Sequence, residues 1–242
     1  MNLAVDIGNT RTKAAVFQGH AILKTFVIEN INFNEEIENI ISTHQIEYLV
    51  MSSVADIETK QLKNIQKLVT LFTVSAEAKL PFENLYGTPK TLGIDRVALV
   101  AAASTLFPNQ NCLVIDAGTC ITYDFLTSDN EYLGGAIAPG LEMRYKSLHT
   151  FTAKLPKLSI KVPDNSTGKS TDESIHSGVV FGVIHEIEGV INQYRQNYPD
   201  LTVVLTGGDS NFLSKQLKSG IFANQNFLVV GLNEILILNH NL

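Results

Sequence analysis

The sequence predicts an α/β protein made of two related halves, each a mixed β-sheet flanked by helices. An apolar run that leads into Asp6 and Gly8 is repeated about 110 residues later by a run that leads into Asp116 and Gly118. A β-favouring run follows each copy, so both copies predict a strand, a tight turn and a second strand. Because two such copies favour an internal repeat, we predict one half over 1–110 and the other over 111–242.

Hydrophobic periodicity predicts the order of elements in the first half. After the first strand it predicts strands over 11–18 and 21–28, a helix over 33–43, a strand over 48–54, a helix over 56–68 and a strand over 69–74. Residues 75–92, which include Pro81, Gly87 and Pro89, break the pattern and predict a loop. A helical run from 97 to 107 follows.

The second half repeats the strand order as far as residue 140. The pattern then predicts a helix from 141, a long helix over 172–196 with Thr171 as its N-cap, and a strand over 201–205 that leads into the Gly207-Gly208 turn. For the last apolar stretch, 228–238, it predicts a short strand as far as Val230 and then a helix.

Composition limits the classes of function. The chain has 242 residues, of which 45% are hydrophobic and 17% charged, and its net charge is −6. No block of Lys and Arg stands out, so we expect no nucleic-acid partner. No window approaches ~18 uninterrupted apolar residues and no secretion signal is apparent, so we expect a globular cytoplasmic protein that does not bind membranes. Cys112 and Cys120 are expected to be reduced and buried.

The two predicted turns have the chemistry of a phosphate site. Glycine allows a positive φ or a close approach to a ligand, and successive turn amides can converge on an anion. Lys13 adds a point charge, and neutral donors come from the side chains of Asn9, Thr10, Thr12 and Thr119. The carboxylates of Asp6 and Asp116 would repel a phosphate unless a cation lay between the carboxylate and the phosphate. For either copy alone, the alternative is an ordinary hairpin turn, in which Asp and Gly are common.

A second informative motif, Gly93-Ile94-Asp95-Arg96, opens the helix of the first half. In one interpretation Asp95 complements the helix dipole and Arg96 pairs with an acid on the surface. In the other, Asp95 accepts a proton from a substrate hydroxyl and Arg96 holds a carboxylate or another acceptor. The residues alone leave both interpretations open.

Other kinds of site have no support in the sequence. Lys169-Ser170 resembles the end of a P-loop, but Pro163 stands where that motif requires its first glycine. The six histidines lack metal-site spacing, and neither a nucleophile elbow nor a dinucleotide-binding G-x-G-x-x-G is present. We therefore do not expect a P-loop ATPase, a zinc enzyme, a serine hydrolase or an NAD enzyme.

The first loop resembles the phosphate-binding loop of the acetate and sugar kinase, Hsp70 and actin superfamily. Its form, Asp-Ile-Gly-Asn-Thr-x-x-Lys over 6–13, is typical of type III pantothenate kinases. G-x-D-R at 93–96, G-G-x-I-x-P-G at 134–140, Thr171 and the Gly207-Gly208 turn are also similar to that family. The resemblance covers nearly the whole chain and implies two RNase H-like half-domains in an actin-like ATPase fold.

This resemblance implies ATP-dependent phosphorylation of pantothenate to 4′-phosphopantothenate, the first step of coenzyme A biosynthesis, with Mg²⁺ and a monovalent cation, K⁺ or NH₄⁺. It implies that Asp95 is the catalytic base, that Asp116 is the ligand of the monovalent cation and that the protein is a homodimer. The implied ATP-binding residues are Asp6, Ile7, Gly8, Asn9, Thr10, Arg11, Thr12, Lys13 and Thr119. The implied pantothenate-binding residues are Tyr86, Gly93, Ile94, Asp95, Arg96 and Thr171.

Two other functions stay open at this point. A related kinase that acts on a sugar or an acyl acid would share the phosphate loops, although Gly93–Arg96 and the region of Tyr86 disfavour it. A non-catalytic regulator, such as an accessory factor for transcription, could keep the fold and act through partners. ATP turnover separates these two classes.

Overall fold

The computed structural model describes residues 1–8, 11–52, 59–75 and 77–240, and the chain divides into two compact units. The first unit contains Met1–Asn109, Asp129–Leu133 and Asn226–Leu242. The second unit contains Gln110–Ser128 and Gly134–Gln225. Within the described ranges, every helix is too short or too polar to span a lipid bilayer.

A mixed sheet forms the centre of the first unit. Its strands are β1 (Asn2–Ile7), β2 (Arg11–Gln18), β3 (Ala21–Glu29), β4 (Tyr48–Met51) and β5 (Thr70–Thr73), in the spatial order β3-β2-β1-β4-β5. β1, β2 and β3 are antiparallel neighbours, whereas β4 runs parallel to both β1 and β5. Helices α1 (Phe33–His44) and α2 (Thr59–Leu68) precede β4 and β5, which confirms the predicted order of elements. Residues 53–58, where the predictions place a strand end and a helix start, lie outside the described part.

The core of the first unit follows from the helical period of α1. Its apolar residues recur every three or four positions, so they share one face, and that face is buried: Phe33, Ile37, Ile40 and Ile41. They pack in one cluster with residues from β1 and β4: Leu3, Val5, Leu49 and Met51. This packing holds the carboxyl ends of β1 and β4 side by side.

The predicted loop over 75–92 contains two short elements in its described residues. Strand β6 (Glu83–Asn84) pairs in parallel with Glu131 and Tyr132, and Pro89–Thr91 form a single 3-10 turn. Helix α3 (Ile94–Leu106) follows, three residues earlier than the period predicts, with Val97–Ala103 fully or almost fully buried. Of the two charged residues of the motif at the start of α3, Asp95 is exposed and Arg96 is buried.

The second unit repeats the strand arrangement of the first unit's sheet. Its strands are β7 (Cys112–Ala117), β8 (Cys120–Leu126), β9 (Glu131–Pro139, which enters this unit at Gly134), β10 (Thr202–Thr206) and β11 (Phe222–Ala223), in the order β11-β10-β7-β8-β9. Its helices are α4 (Leu141–Thr150), α5 (Thr171–Asn197) and α6 (Ser210–Leu213). β7 is antiparallel to β8 and parallel to β10, as β1 is to β2 and β4. Buried residues of α5, including Val183 and Ile187, pack in one core with Leu113 and Ile115 of β7.

One prediction for the C-terminal helix α7 (Phe227–His240) is wrong: Leu228–Val230 are helical and do not form a strand. Helix α7 belongs to the first unit. Helix α7 packs closely against α3 at Gly231, where a Cβ would lie 1.7 Å from the carbonyl oxygen of Ala98. Glycine at this position therefore allows the close contact. A buried apolar run of this length does not distinguish helix from strand, so the tertiary contact with α3 decides the outcome.

Candidate active site

Asp6 lies near the end of β1, and its side chain is bonded to Ser52, the residue that follows the neighbouring strand β4. The Ser52 hydroxyl, just after β4, donates to Asp6 Oδ1 at 2.9 Å and accepts the Ile7 amide at 3.1 Å. Parallel pairing of β1 with β4 brings these two strand ends together. Asp6 and Ile7 were predicted from the sequence, but Ser52 was not.

Two further predicted residues act on the Asp6 carboxylate. Burial raises the pKa of Asp6, the Ser52 hydrogen bond and the Lys13 charge lower it, and the Asp95 charge raises it again. Lys13 stands directly opposite Asp6 in the antiparallel pair of β1 and β2. In the first unit Asp6 therefore lies within electrostatic reach of both Lys13 and Asp95.

The turn after Asp6 is closed by three hydrogen bonds. The Gly8 amide donates to the Arg11 carbonyl at 3.2 Å, and Asn30 Nδ2 donates to the Gly8 carbonyl at 2.9 Å. The Thr12 hydroxyl is buried and donates to Asn30 Oδ1 at 3.0 Å. Asn9 and Thr10, two predicted phosphate ligands, lie outside the described residues. Asn30 was not predicted, because nothing in its local sequence marks it.

Arg11 points to a different partner from the one predicted. Its Nε lies 3.0 Å from Glu29 Oε1, and both side chains are more than half exposed. The antiparallel register of β2 and β3 places these two residues opposite each other. The structure thus gives Arg11 a cross-strand ion pair on the surface.

The start of α3 presents Asp95 to solvent. Gly93 is the N-cap, Ile94 is the first helical residue, and the Arg96 amide donates to Asp95 Oδ1 at 2.8 Å. A Cβ at Gly93 would lie 2.2 Å from the same carboxylate oxygen. The glycine therefore leaves the space that the Asp95 carboxylate occupies.

Arg96 is buried rather than on the surface. It is only 6% exposed, so the interpretation as a surface ion pair is wrong. Its guanidinium lies 5.5 Å from the centre of the Tyr86 ring, which is stacked on Tyr132 with the ring centres 6.0 Å apart. Cation–π contacts of this kind hold a guanidinium plane in place. Tyr86, Arg96 and Tyr132 form an ordered stack in the first unit, of which Tyr132 was not predicted.

The second loop is closed by backbone bonds. Asp116 lies near the end of β7, the Gly118 amide donates to the Cys120 carbonyl at 2.9 Å, and the Gly140 amide donates to the Thr119 carbonyl at 3.0 Å. A Cβ at Gly140 would lie 2.1 Å from the Gly118 carbonyl oxygen, so this approach requires glycine. Neither Gly8 nor Gly118 has a positive φ, so neither glycine uses the left-handed backbone that its sequence allows.

The predicted Gly-Gly turn lies against the second loop. Gly207 has a φ of +93°, and a Cβ there would lie 2.2 Å from the Ala117 carbonyl oxygen and 2.4 Å from Asp116 Oδ1. The Asp209 amide donates to the Ala117 carbonyl at 2.9 Å. Burial and, to a smaller extent, Glu142 raise the pKa of Asp209. The Gly-Gly turn is thus bonded through its backbone to Ala117, the residue after Asp116.

Thr171 is the first residue of α5, and the N-cap is Ser170, one residue earlier than predicted. The Ser170 hydroxyl accepts the Glu173 amide at 3.3 Å. Because Ser170 caps the helix, the exposed Thr171 side chain is not required for capping. It lines a groove of about 930 Å³ in the second unit, together with Arg144, Ser174 and Gly178 among others.

The donor atoms near Asp116 are of the kind that hard cations prefer. Among the described residues, no three His, Cys, Asp or Glu side chains are grouped so that they could hold a metal ion. Asp116 Oδ1 and the Ala117 carbonyl oxygen nevertheless lie against the same glycine, Gly207. Carboxylate and carbonyl oxygens are ligand types that hard cations such as Mg²⁺ and K⁺ accept, so the chemistry of these two groups is compatible with a cation.

The fold defines the class of protein. The chain is similar to a solved structure described as a Baf family transcriptional activator from Campylobacter jejuni, with a TM-score of 0.66, 23% identity and coverage of 99% of this chain and 100% of the other. It is also similar to glucokinase from an Antarctic psychrotroph, with a TM-score of 0.51, 12% identity and coverage of 100% and 99%. These likenesses confirm the predicted actin-like ATPase and sugar kinase fold.

The sequence comparisons define the family. A family model described as type III pantothenate kinase matches residues 2–193. The type III pantothenate kinase of Flavobacterium johnsoniae is 49% identical over 235 residues, which cover 97% of this chain and 96% of that protein. The chain belongs to the type III pantothenate kinase family, as its motifs predicted.

Proposed function

We propose that this protein transfers the γ-phosphate of ATP to pantothenate and so carries out the first step of coenzyme A biosynthesis. One observation carries the proposal beyond family membership: Lys13 stands opposite Asp6 in the paired strands β1 and β2, and the charge of Asp95 contributes to the raised pKa of Asp6. A phosphate-binding cation, a metal-compatible carboxylate and a candidate base thus occur together in the first unit. Phosphoryl transfer needs little beyond such positioning and charge neutralisation.

Each residue of the first unit has a role in this proposal. Lys13 and the backbone of the first loop bind phosphate oxygens, and Asp6 holds the Mg²⁺ that accompanies ATP. Asp95, exposed at the start of α3, orients the primary hydroxyl of pantothenate and accepts its proton. Arg96, held against Tyr86, binds the pantothenate carboxylate. Mg²⁺ supplies charge neutralisation on the phosphates when it is bound.

The second unit contributes the remaining roles in the proposal. Thr119 donates to a phosphate of ATP, and Thr171 contacts the acceptor. Asp116 is a ligand of K⁺ or NH₄⁺, supported by the oxygen atoms that surround Gly207. We also propose that the protein is a homodimer in the cytoplasm, by analogy with the family it resembles.

The test is ADP production by the purified protein with ATP and Mg²⁺, with and without pantothenate and with K⁺ or Na⁺ as the monovalent cation. We expect turnover only when pantothenate is present and a higher rate with K⁺. Equal ADP production without pantothenate would instead support a kinase for another acceptor, and no ADP production would support a regulator. The likeness to a structure described as a transcriptional activator concerns the fold alone, since only 23% of residues are identical.

A further inference from the structure

Asn30 connects the two sides of the first phosphate loop. It is the first residue after β3 and belongs to a 3-10 turn, Asn30–Asn32. Its side-chain nitrogen donates to the Gly8 carbonyl at 2.9 Å, and its side-chain oxygen accepts the Thr12 hydroxyl at 3.0 Å. One amide group thus binds a residue on each side of the turn, although it lies 22 residues from Gly8 and 18 from Thr12.

The chemistry of an amide suits this bridge. A side-chain amide has a donor nitrogen and an acceptor oxygen on the same carbon, and this bridge uses both. Both polar backbone groups of Gly8 have hydrogen-bond partners. Its carbonyl accepts from Asn30, and its amide donates to the Arg11 carbonyl at 3.2 Å. The Thr12 hydroxyl is fully buried and needs a partner there. Asp, which has the same shape, would keep the acceptor and lose the donor.

We propose that Asn30 is a positioning residue for nucleotide binding: it holds Gly8 and Thr12, which lie on either side of the predicted phosphate ligands, in the positions that binding of ATP requires. It contacts the loop and not the reacting atoms, so its effect is on ATP affinity. This inference rests on the proposed role of the loop. The alternative is that Asn30 only stabilises the fold at the end of β3.

The test compares Asn30→Ala and Asn30→Asp with the matched control Asn39→Ala. Asn39 is an exposed asparagine on α1, and its side chain accepts a local bond from Thr43 at 3.2 Å. We expect the KM for ATP to rise about tenfold in Asn30→Ala, the effect of losing two ordinary hydrogen bonds. Asn30→Asp should raise it further, because a carboxylate oxygen would oppose the Gly8 carbonyl and repel phosphate. The KM for pantothenate should stay within about twofold.

Two more measurements separate this role from fold stability and from the proposed reaction. The Kd of Mg²⁺ and a non-hydrolysable ATP analogue, measured without pantothenate, should rise in step with the KM for ATP. Hydrogen exchange of the backbone amides of Gly8 and residues 11–13 in the ligand-free protein should accelerate in Asn30→Ala but not in Asn39→Ala. The proposal would be overturned if neither the hydrogen exchange nor the Kd of the nucleotide changed in Asn30→Ala. A wild-type protein that binds nucleotide but does not phosphorylate pantothenate would instead refute the proposed function alone.

Discussion

The two Asp-x-Gly loops share a sequence pattern but are held in place by different means. In the first, side chains from elsewhere in the chain bind the loop: Ser52 binds Asp6, and Asn30 binds Gly8. The second loop is held instead by backbone hydrogen bonds and by the close approach of two glycines, Gly140 and Gly207. The residue opposite the aspartate also differs, since Lys13 faces Asp6 and Thr122 faces Asp116. The shared Asp-x-Gly motif therefore does not determine the chemistry of a loop. The residues around each loop determine which groups lie near its aspartate.

The same contrast occurs at the two helix starts that accompany these loops. α3 and α4 both begin after a glycine N-cap, and both have an acid as their second residue, Asp95 and Glu142. Both acids are exposed. Asp95 acts electrostatically on Asp6, whereas Glu142 acts on Asp209. Only Asp95 is associated with a loop that carries a lysine.

The largest expected effect tests this contrast between the two acids. Asp95→Asn should lower kcat by about 10²- to 10⁴-fold, the usual contribution of a general base. Its fold should be intact, because the side chain is exposed and Asn can still accept the Arg96 amide. Steady-state ADP production and thermal unfolding measure the two quantities. The matched change Glu142→Gln should lower kcat by less than about threefold. Comparable losses in both variants would remove the distinction between the two helix starts.

The next effect concerns Asp6, where activity and stability should change in opposite directions. Asp6→Asn should reduce turnover by about 10²-fold or more, the scale expected for a lost electrostatic contact to the reacting groups. It should raise the Tm of the ligand-free protein, because burial raises the pKa of Asp6 and so makes its ionised form costly.

The size of that gain in Tm depends on pH. A carboxyl with a raised pKa in the folded state stabilises the protein at low pH, and this contribution is lost as the pH rises through the folded-state pKa. The Tm advantage of Asp6→Asn should therefore be greatest above that pKa and shrink in acid, where Asp6 is also neutral. Thermal unfolding from pH 8 to pH 4 measures it, with the exposed Asp129→Asn as control. A lower Tm at pH 8 would show that the contacts with Ser52 and Lys13 outweigh the burial of the charge.

A smaller effect tests the reliance of the second loop on glycine. Gly207→Ala should reduce the free energy of unfolding by about 2–4 kcal/mol, from the left-handed backbone and from overlap with the Ala117 carbonyl. Gly208→Ala is the matched control, since a Cβ there meets nothing within 4 Å, and it should cost less than about 0.5 kcal/mol. Urea denaturation measures both. Equal costs would mean that the close approach of Gly207 does not stabilise the second loop.

The sequence predicts the elements better than it predicts the contacts of the site. The order of strands and helices follows from local periodicity, and Asp6, Lys13 and Asp95 could be predicted as site residues because each lies in a short local motif. Ser52 and Asn30 could not be found in this way, because they reach the loop across 46 and 22 residues of sequence. The strand predicted before Gly231 was wrong because the contact between α7 and α3 outweighs local β propensity.

Arg11 should produce the smallest effect in the first loop. It was predicted to bind ATP, but its guanidinium pairs with Glu29 across β2 and β3, on the surface. Arg11→Ala should therefore raise the KM for ATP by less than about threefold, and an exposed pair of this kind contributes at most about 1 kcal/mol to stability. Glu29→Gln is the informative partner variant, because it releases Arg11 without removing it. If Arg11 binds phosphate once released, Glu29→Gln should lower the KM for ATP while Arg11→Ala raises it. If neither variant changes that KM, Arg11 is a surface residue of the sheet, and ATP binding by the first loop depends on Lys13 and the backbone.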